Sequence, residues 1–321
     1  MEGIPSVTLS SGHSMPVIGM GTVSYPKPEP GALRSAMLDA ITVGYRHFDT
    51  GALSLYGTEE PLGEAIAESI RCGLVKDRSD LFVSTKLWAA DAHHDGVIPA
   101  LQESLRKLQL EYVDLYLIHW PFGLPKEETK WPIDEEKIVA LDYESVWKAM
   151  EQCQALGLAK SIGVSNFSCK KLEQLLSAAR IPPAVNQVEM NPTWQQKKLM
   201  DFCREKGIQI TAYTPLGANG MPWGTSRVLE SNELKEIAMA KGKSTAQISL
   251  RWIHQQGATM VVKSFKKERM EENLDLFNWE LSKEEMHEIS KIEQCRGIQG
   301  EQFISANGAF KSVMELWDGE I

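Results

Sequence analysis

No stretch of this 321-residue chain approaches the roughly twenty consecutive apolar residues that a membrane-crossing helix needs. The opening residues, Met1 to Ser10, lack the charged-then-apolar order of a secretory signal, so a cytosolic protein is expected. Cysteine is sparse. The five present (Cys72, Cys153, Cys169, Cys203 and Cys295) are odd in number, far apart, without a Cys-x-x-Cys and without histidine at zinc spacing. They read as reduced thiols with no metal role. The one His and acid cluster, His93-His94-Asp95, reads as a solvated helix start. Basic residues number 34 against 43 acidic ones, a net charge of −9, so the concentrated positive face that a nucleic acid requires is missing. Low-complexity tracts are absent, as is any repeat longer than one strand plus one helix.

What remains is an ordinary globular composition, 43% hydrophobic and 24% charged, enough for a large core. Short runs of β-branched and aliphatic residues alternate with longer stretches of helical period, the mark of parallel strands joined by crossover helices. Eight strands are expected, at about Val17–Met20, Tyr45–Asp49, Leu81–Lys86, Val113–His119, Lys160–Ser165, Ala184–Glu189, Ile208–Tyr213 and Met260–Ser264. Helices are expected at Gly31–Val43, Glu59–Ile70, Val97–Leu108, Tyr143–Leu156, Cys169–Ala179, Gln195–Lys206, Thr245–Gln255 and Ser282–Ile292. The count favours an α/β architecture with one (β/α)8 barrel, a TIM-type barrel spanning residues 1–321, over an open doubly wound sheet. A small hairpin, Ser6–Leu9 with Met15–Pro16, should precede it. Two segments break the alternation, 121–142 and 294–321. Long irregular stretches beside a barrel are commonly functional, which makes these candidate walls of a substrate pocket at the carboxyl face.

Polar residues of particular kinds recur where successive strands end: Asp49 at the second, Lys86 at the third, His119 at the fourth. In a closed barrel those ends converge, and Tyr56 follows in the loop after Asp49. A phenol with an ordinary pKa near 10 is a weak acid at neutral pH, but a neighbouring ammonium stabilises its phenolate and lowers that value. Lys86 is expected to act so on Tyr56, with Asp49 holding the lysine protonated and His119 donating a hydrogen bond to a substrate oxygen. Taken singly, each has an ordinary reading as a helix cap, a surface cation or a core histidine. Their arrival in order at successive strand ends favours chemistry. Gly19-x-Gly21 has the start of a dinucleotide-binding turn, but the third glycine is missing and Pro26, Pro28 and Pro30 stand where that fold needs a helix.

Three stretches carry a more specific likeness: Gly44-Tyr45-Arg46-His47-Phe48-Asp49-Thr50 with Glu59-Glu60-Pro61-Leu62-Gly63; Lys160 to Phe167; and Val262-Lys263-Ser264 with Arg269 and Asn273. With them, from Pro5 to about Trp317, the chain resembles the aldo-keto reductase superfamily. In Leu117 to Pro121, Asn166 to Lys171 and Val185 to Pro192 it looks most like the plant group that holds methylecgonone, codeinone, chalcone and galacturonate reductases and deoxymugineic acid synthase. The resemblance implies NADPH-dependent reduction of an aldehyde or ketone with Tyr56 as general acid and Asp49, Lys86 and His119 completing the catalytic set. One departure is visible: six residues separate Asp49 from Tyr56, two more than the family pattern. The resemblance further implies a 2′-phosphate site at Lys263, Ser264 and Arg269 with Asn273. Ser165, Asn166 and Gln187 would hold the nicotinamide carboxamide, Tyr213 would stack on the ring, and Thr22, Asp49 and Leu216 would line the dinucleotide.

Trp88, Trp120, Trp223 and Trp317 fall in or beside the loops expected at the mouth, and broad aromatic walls suit a sizeable, partly apolar small-molecule carbonyl. A bulky ketone of plant specialised metabolism, such as an alkaloid ketone, is the first expectation. A sugar or uronate aldehyde is the alternative. Less favoured is a barrel that holds NADPH for regulation without turnover. Neither membrane nor nucleic acid is expected as partner, and the family default is a monomer.

Overall fold

A computed structural model describes residues 3–128 and 131–321. Eight parallel strands close into a barrel: β1 Ile18–Gly21, β2 His47–Asp49, β3 Phe82–Leu87, β4 Val113–Ile118, β5 Ala159–Ser165, β6 Val185–Glu189, β7 Gln209–Tyr213 and β8 Thr259–Val262. Each strand pairs with its neighbours in sequence, and β8 pairs with β1. The expected strands coincide with these to within about two residues.

The outer layer is helical because apolar residues repeat at three and four. In Val97–Leu108, Val97, Leu101, Leu105 and Leu108 are all buried, each such burial worth about 1.5–3 kcal/mol. Helix starts are written locally. Ser244 and Gln247 form a reciprocal capping box at Thr245–Gln255, and Ser282 and Glu285 form another at Lys283–Ser290. The helix expected from Gln195 begins at Lys197, because Gln196 takes a left-handed φ of 54°. Asn232–Lys241 is a helix that periodicity did not bring out. Its neighbour Arg227–Glu230 is a single short turn.

The two ends of the barrel are sealed differently. At the amino end the hairpin Ser6–Thr8 with Ser14–Pro16 delivers Leu9 and Met15 into a cluster with Phe82, Leu115, Leu117 and Val185. At the carboxyl end a second apolar cluster is built mostly from loops. It joins Trp88, Trp120 and Phe122 to Ile138 and, from the tail, Phe303 and Trp317. The segment expected as an irregular pocket loop includes Thr129 and Lys130, which lie outside the described residues. Its described part closes on itself through a two-stranded ladder, Phe122–Gly123 against Val139–Ala140.

Candidate active site

β2 and β3 run side by side with Asp49 opposite Ser84. The period of two puts Ser84 and Lys86 on the same face of β3. The Lys86 ammonium therefore reaches Asp49 Oδ2 at 2.5 Å and the Thr50 carbonyl at 2.9 Å, with Lys86 1% and Asp49 4% exposed. The other Asp49 oxygen, Oδ1, accepts from the Ser84 hydroxyl at 2.7 Å and from the Gln187 amide at 2.9 Å. Burial works against the Lys86 charge, but Asp49 and Tyr56 together outweigh it and hold the lysine's pKa above the usual value.

The longer loop still delivers Tyr56. Its backbone N–H closes a turn onto the Leu53 carbonyl at 2.9 Å. The loop is pinned by a buried row of hydroxyls, with Thr58 joined to Thr22 at 2.8 Å and to Thr50 at 2.7 Å. Lys86 Nζ lies 5.3 Å from the centre of the Tyr56 ring, and the His119 imidazole meets that ring edge-on at 5.7 Å. Asp49, Tyr56, Lys86 and His119 are thus gathered at one rim.

The Tyr56 pKa is raised, against the expected lowering. Desolvation pushes the phenol up; Lys86 pulls it down without prevailing. Tyr56 keeps part of its surface open to the cleft, so that desolvation is incomplete. Burial, reinforced by Lys86, holds the His119 pKa well below the ordinary histidine value, leaving a neutral imidazole whose Nδ1 has no protein partner.

A cavity of about 1270 Å³ opens above these groups. Tyr56 and His119 line one part of it; Lys263, Ser264, Arg269 and Asn273 line another. Ser165, Asn166, Gln187, Tyr213, Thr22 and Leu216 line it as well. Several of these already have partners that the sequence did not announce. Asn166, at φ 64°, donates to the His119 carbonyl at 3.0 Å, and its Oδ1 accepts from the Tyr213 hydroxyl at 2.7 Å. Ser165 donates to the Gln187 carbonyl at 2.8 Å. Lys263 and Arg269 are exposed, and no carboxylate lies within 4.0 Å of either among the described residues. Partial burial and the Arg269 charge both lower the Lys263 pKa. Two uncompensated cations beside Ser264, where helix Lys267–Leu274 begins, fit an anionic group.

Of the four tryptophans expected on the wall, Trp120 and Trp223 line the cavity. Trp88 and Trp317 are each 3% exposed and pack behind it, Trp88 edge-on to His119 at 5.8 Å and Trp317 against Trp120 at 6.0 Å. Trp131, Ile298, Gln302 and Phe303 complete the wall, none of them singled out by sequence. Among the described residues no group of three His, Cys, Asp or Glu side chains is placed to hold a metal.

The aldo/keto reductase family profile matches residues 17–294. The chain belongs to the aldo/keto reductase family. It is therefore an oxidoreductase of carbonyl groups. It is 58% identical, over 99% of its length and 98% of the relative's, to a 7-acetyl-epi-neemfruitin B aldo-keto reductase of Melia azedarach. To deoxymugineic acid synthase 1-A of Triticum aestivum it is 56% identical over 96% of this chain and 97% of the other. Among solved structures it resembles a Bombyx mori aldo-keto reductase in complex with NADP, with a TM-score of 0.82 and 38% identity over 93% of this chain and 96% of that one.

Proposed function

We propose that this protein reduces a bulky, largely apolar ketone or aldehyde of specialised metabolism to its alcohol with NADPH. The observation that carries the substrate class is the wall near Tyr56. Leu53, Leu55, Trp120, Trp131, Ile298 and Phe303 belong to one apolar cluster that also packs Tyr56, with Gln302 the polar residue beside them, whereas the cavity's two cations, Lys263 and Arg269, follow β8. A uronate would leave its carboxylate unpaired against that wall, and a sugar would leave its hydroxyls unsatisfied. A polycyclic ketone, an alkaloid among them, suits it better.

The dinucleotide's 2′-phosphate is assigned to Lys263, Ser264, Arg269 and Asn273. Ser165, Asn166 and Gln187 are assigned to the carboxamide, Tyr213 to the face of the ring, and Thr22, Asp49 and Leu216 to the channel. When bound, the reduced nicotinamide supplies a hydride to the carbonyl carbon. Tyr56 gives its phenolic proton to the carbonyl oxygen as negative charge builds there. The Lys86 ammonium, fixed by Asp49 and Thr50, stabilises the phenolate left behind. Being neutral, His119 steers the oxygen by an N–H hydrogen bond without surrendering a proton. Gln187 and Ser84 keep Asp49 aimed at the lysine.

The test follows NADPH absorbance with polycyclic ketones, small aldehydes, aldoses and uronates. Bulky ketones should give the highest kcat/KM, and preference for a uronate or aldose would overturn the substrate class. We place the protein in the cytosol as a monomer, with segments 121–142 and 294–321 as its pocket walls on a single barrel domain. No helix among the described residues is long and apolar enough to cross a membrane, and a dimer mass by light scattering would remove the monomer.

A further inference from the structure

The tail from Gln294 onward leaves the barrel and returns to it, fastened at both ends. At the near end Glu189, the last residue of β6 and 2% exposed, accepts the Gly297 N–H on one carboxylate oxygen at 3.1 Å and the Ile298 N–H on the other at 2.9 Å. A Cβ at Gly297 would stand 2.6 Å from that carboxylate, so any larger residue there would have to displace the Glu189 side chain. At the far end Lys171, 4% exposed, donates to the Leu316 carbonyl at 2.7 Å and pairs with Asp318. Asp318 also accepts from the Ser168 hydroxyl at 2.6 Å and lies 3.4 Å from Lys170. Glu320 takes the Cys169 N–H at 3.2 Å at the start of helix Cys169–Ala178. Arg296 ties the two ends together, lying 3.7 Å over the Trp317 ring and donating to the Glu320 carbonyl at 2.7 Å.

Between these fastenings run Gln302 and Phe303, which face the cavity. A buried ammonium that loses its carboxylate is far costlier than a broken surface pair. The tail is therefore held at its far end by a charge that has few alternative partners. Loops whose ends are closed on each other move as units, and this one carries part of the substrate wall.

We infer that Lys171 and Asp318 are a positioning pair for the reductase: by clamping the tail they fix the wall that a bulky substrate meets, and so set selection by size. This rests on the reductase reading of the cavity. A small aldehyde, satisfied by Tyr56 and His119 alone, is indifferent to the clamp.

The experiment compares wild type, Lys171→Met, Lys171→Arg and Asp318→Asn on benzaldehyde and on a polycyclic ketone with NADPH, with limited proteolysis alongside. Lys171→Met and Asp318→Asn should each raise KM for the ketone about tenfold. Both constants for benzaldehyde, and KM for NADPH, should stay within about twofold, well under that tenfold step. Lys171→Arg should recover most of the loss, and cleavage between residues 299 and 315 should quicken in the two uncharged variants. Equal changes for both substrates, or no change in either, would overturn the inference. If wild type consumes NADPH with neither substrate, the reductase reading fails instead. Proteolysis then still reads the clamp, and wild-type cleavage rates in Lys171→Met and Asp318→Asn would refute it.

Discussion

Asp49 and Lys86 meet at 2.5 Å, each at most 4% exposed, and three further protein groups complete their hydrogen bonds. In another part of the same cavity, Lys263 and Arg269 face solvent with no carboxylate within reach among the described residues. In the proposed reaction the first arrangement is preorganised, its dipoles and charges in place before a reacting oxygen arrives. The second holds unspent charge, and an anion would complete it. One end is built to act and the other to receive, so the two should respond differently to substitution, salt and pH.

Breaking the acting end should give the largest effect. Tyr56→Phe is expected to lower kcat by about 10²–10⁴ while leaving the NADPH dissociation constant, read by fluorescence titration, nearly unchanged. Loss of coenzyme binding instead would make the phenol structural. Lys86→Met strands a buried carboxylate and should cost about 3–5 kcal/mol of stability in denaturant melts. A change under about 1 kcal/mol, the scale of an exposed pair, would show that the site lets water in. At the receiving end, Lys263→Ala or Arg269→Ala should raise KM for NADPH about tenfold or more, the worth of one charge-assisted hydrogen bond. KM for NADH should not move, and added salt should narrow the gap. A parallel rise for both coenzymes would remove the 2′-phosphate assignment.

The smallest effect sharpens the comparison through pH. In the proposed reaction the protonated phenol is the active form, and burial holds the Tyr56 pKa above its ordinary value of 10.0. Reduction kcat/KM should therefore stay level through neutral and mildly alkaline pH and fall only as pH rises past about 10. A fall that begins near pH 8 would mean that the Lys86 ammonium overrides desolvation.

Strands were legible because a barrel strand buried on both sides is a short aliphatic run, and the catalytic candidates because they stand where those runs stop. The partners of Asp49 were less visible. Ser84 had a signal, two residues before Lys86 on the same strand face, whereas Gln187 lies 138 residues from Asp49 and is joined to it only by barrel closure. Helix Asn232–Lys241 hid because Met239, 82% exposed, puts an apolar residue off the short buried stripe of Leu234, Ile237 and Ala238. The tryptophans show the limit of composition. All four lie near the mouth, but whether a ring faces the cavity or the layer behind it depends on how the tail folds back, and that is set by contacts such as Lys171 with Asp318.

The hairpin beneath the barrel has a consequence for traffic. With Leu9 and Met15 stoppering the amino end, both reactants would share the cavity at the opposite face. On the proposed assignments, with the nicotinamide against Tyr213 at the end of β7 and the ketone against Trp131 and Phe303 in the loops beyond it, coenzyme would enter before substrate and depart after product. Turnover should then be paced by the slow escape of the oxidised coenzyme, and an initial burst followed by a slower steady rate is its kinetic signature.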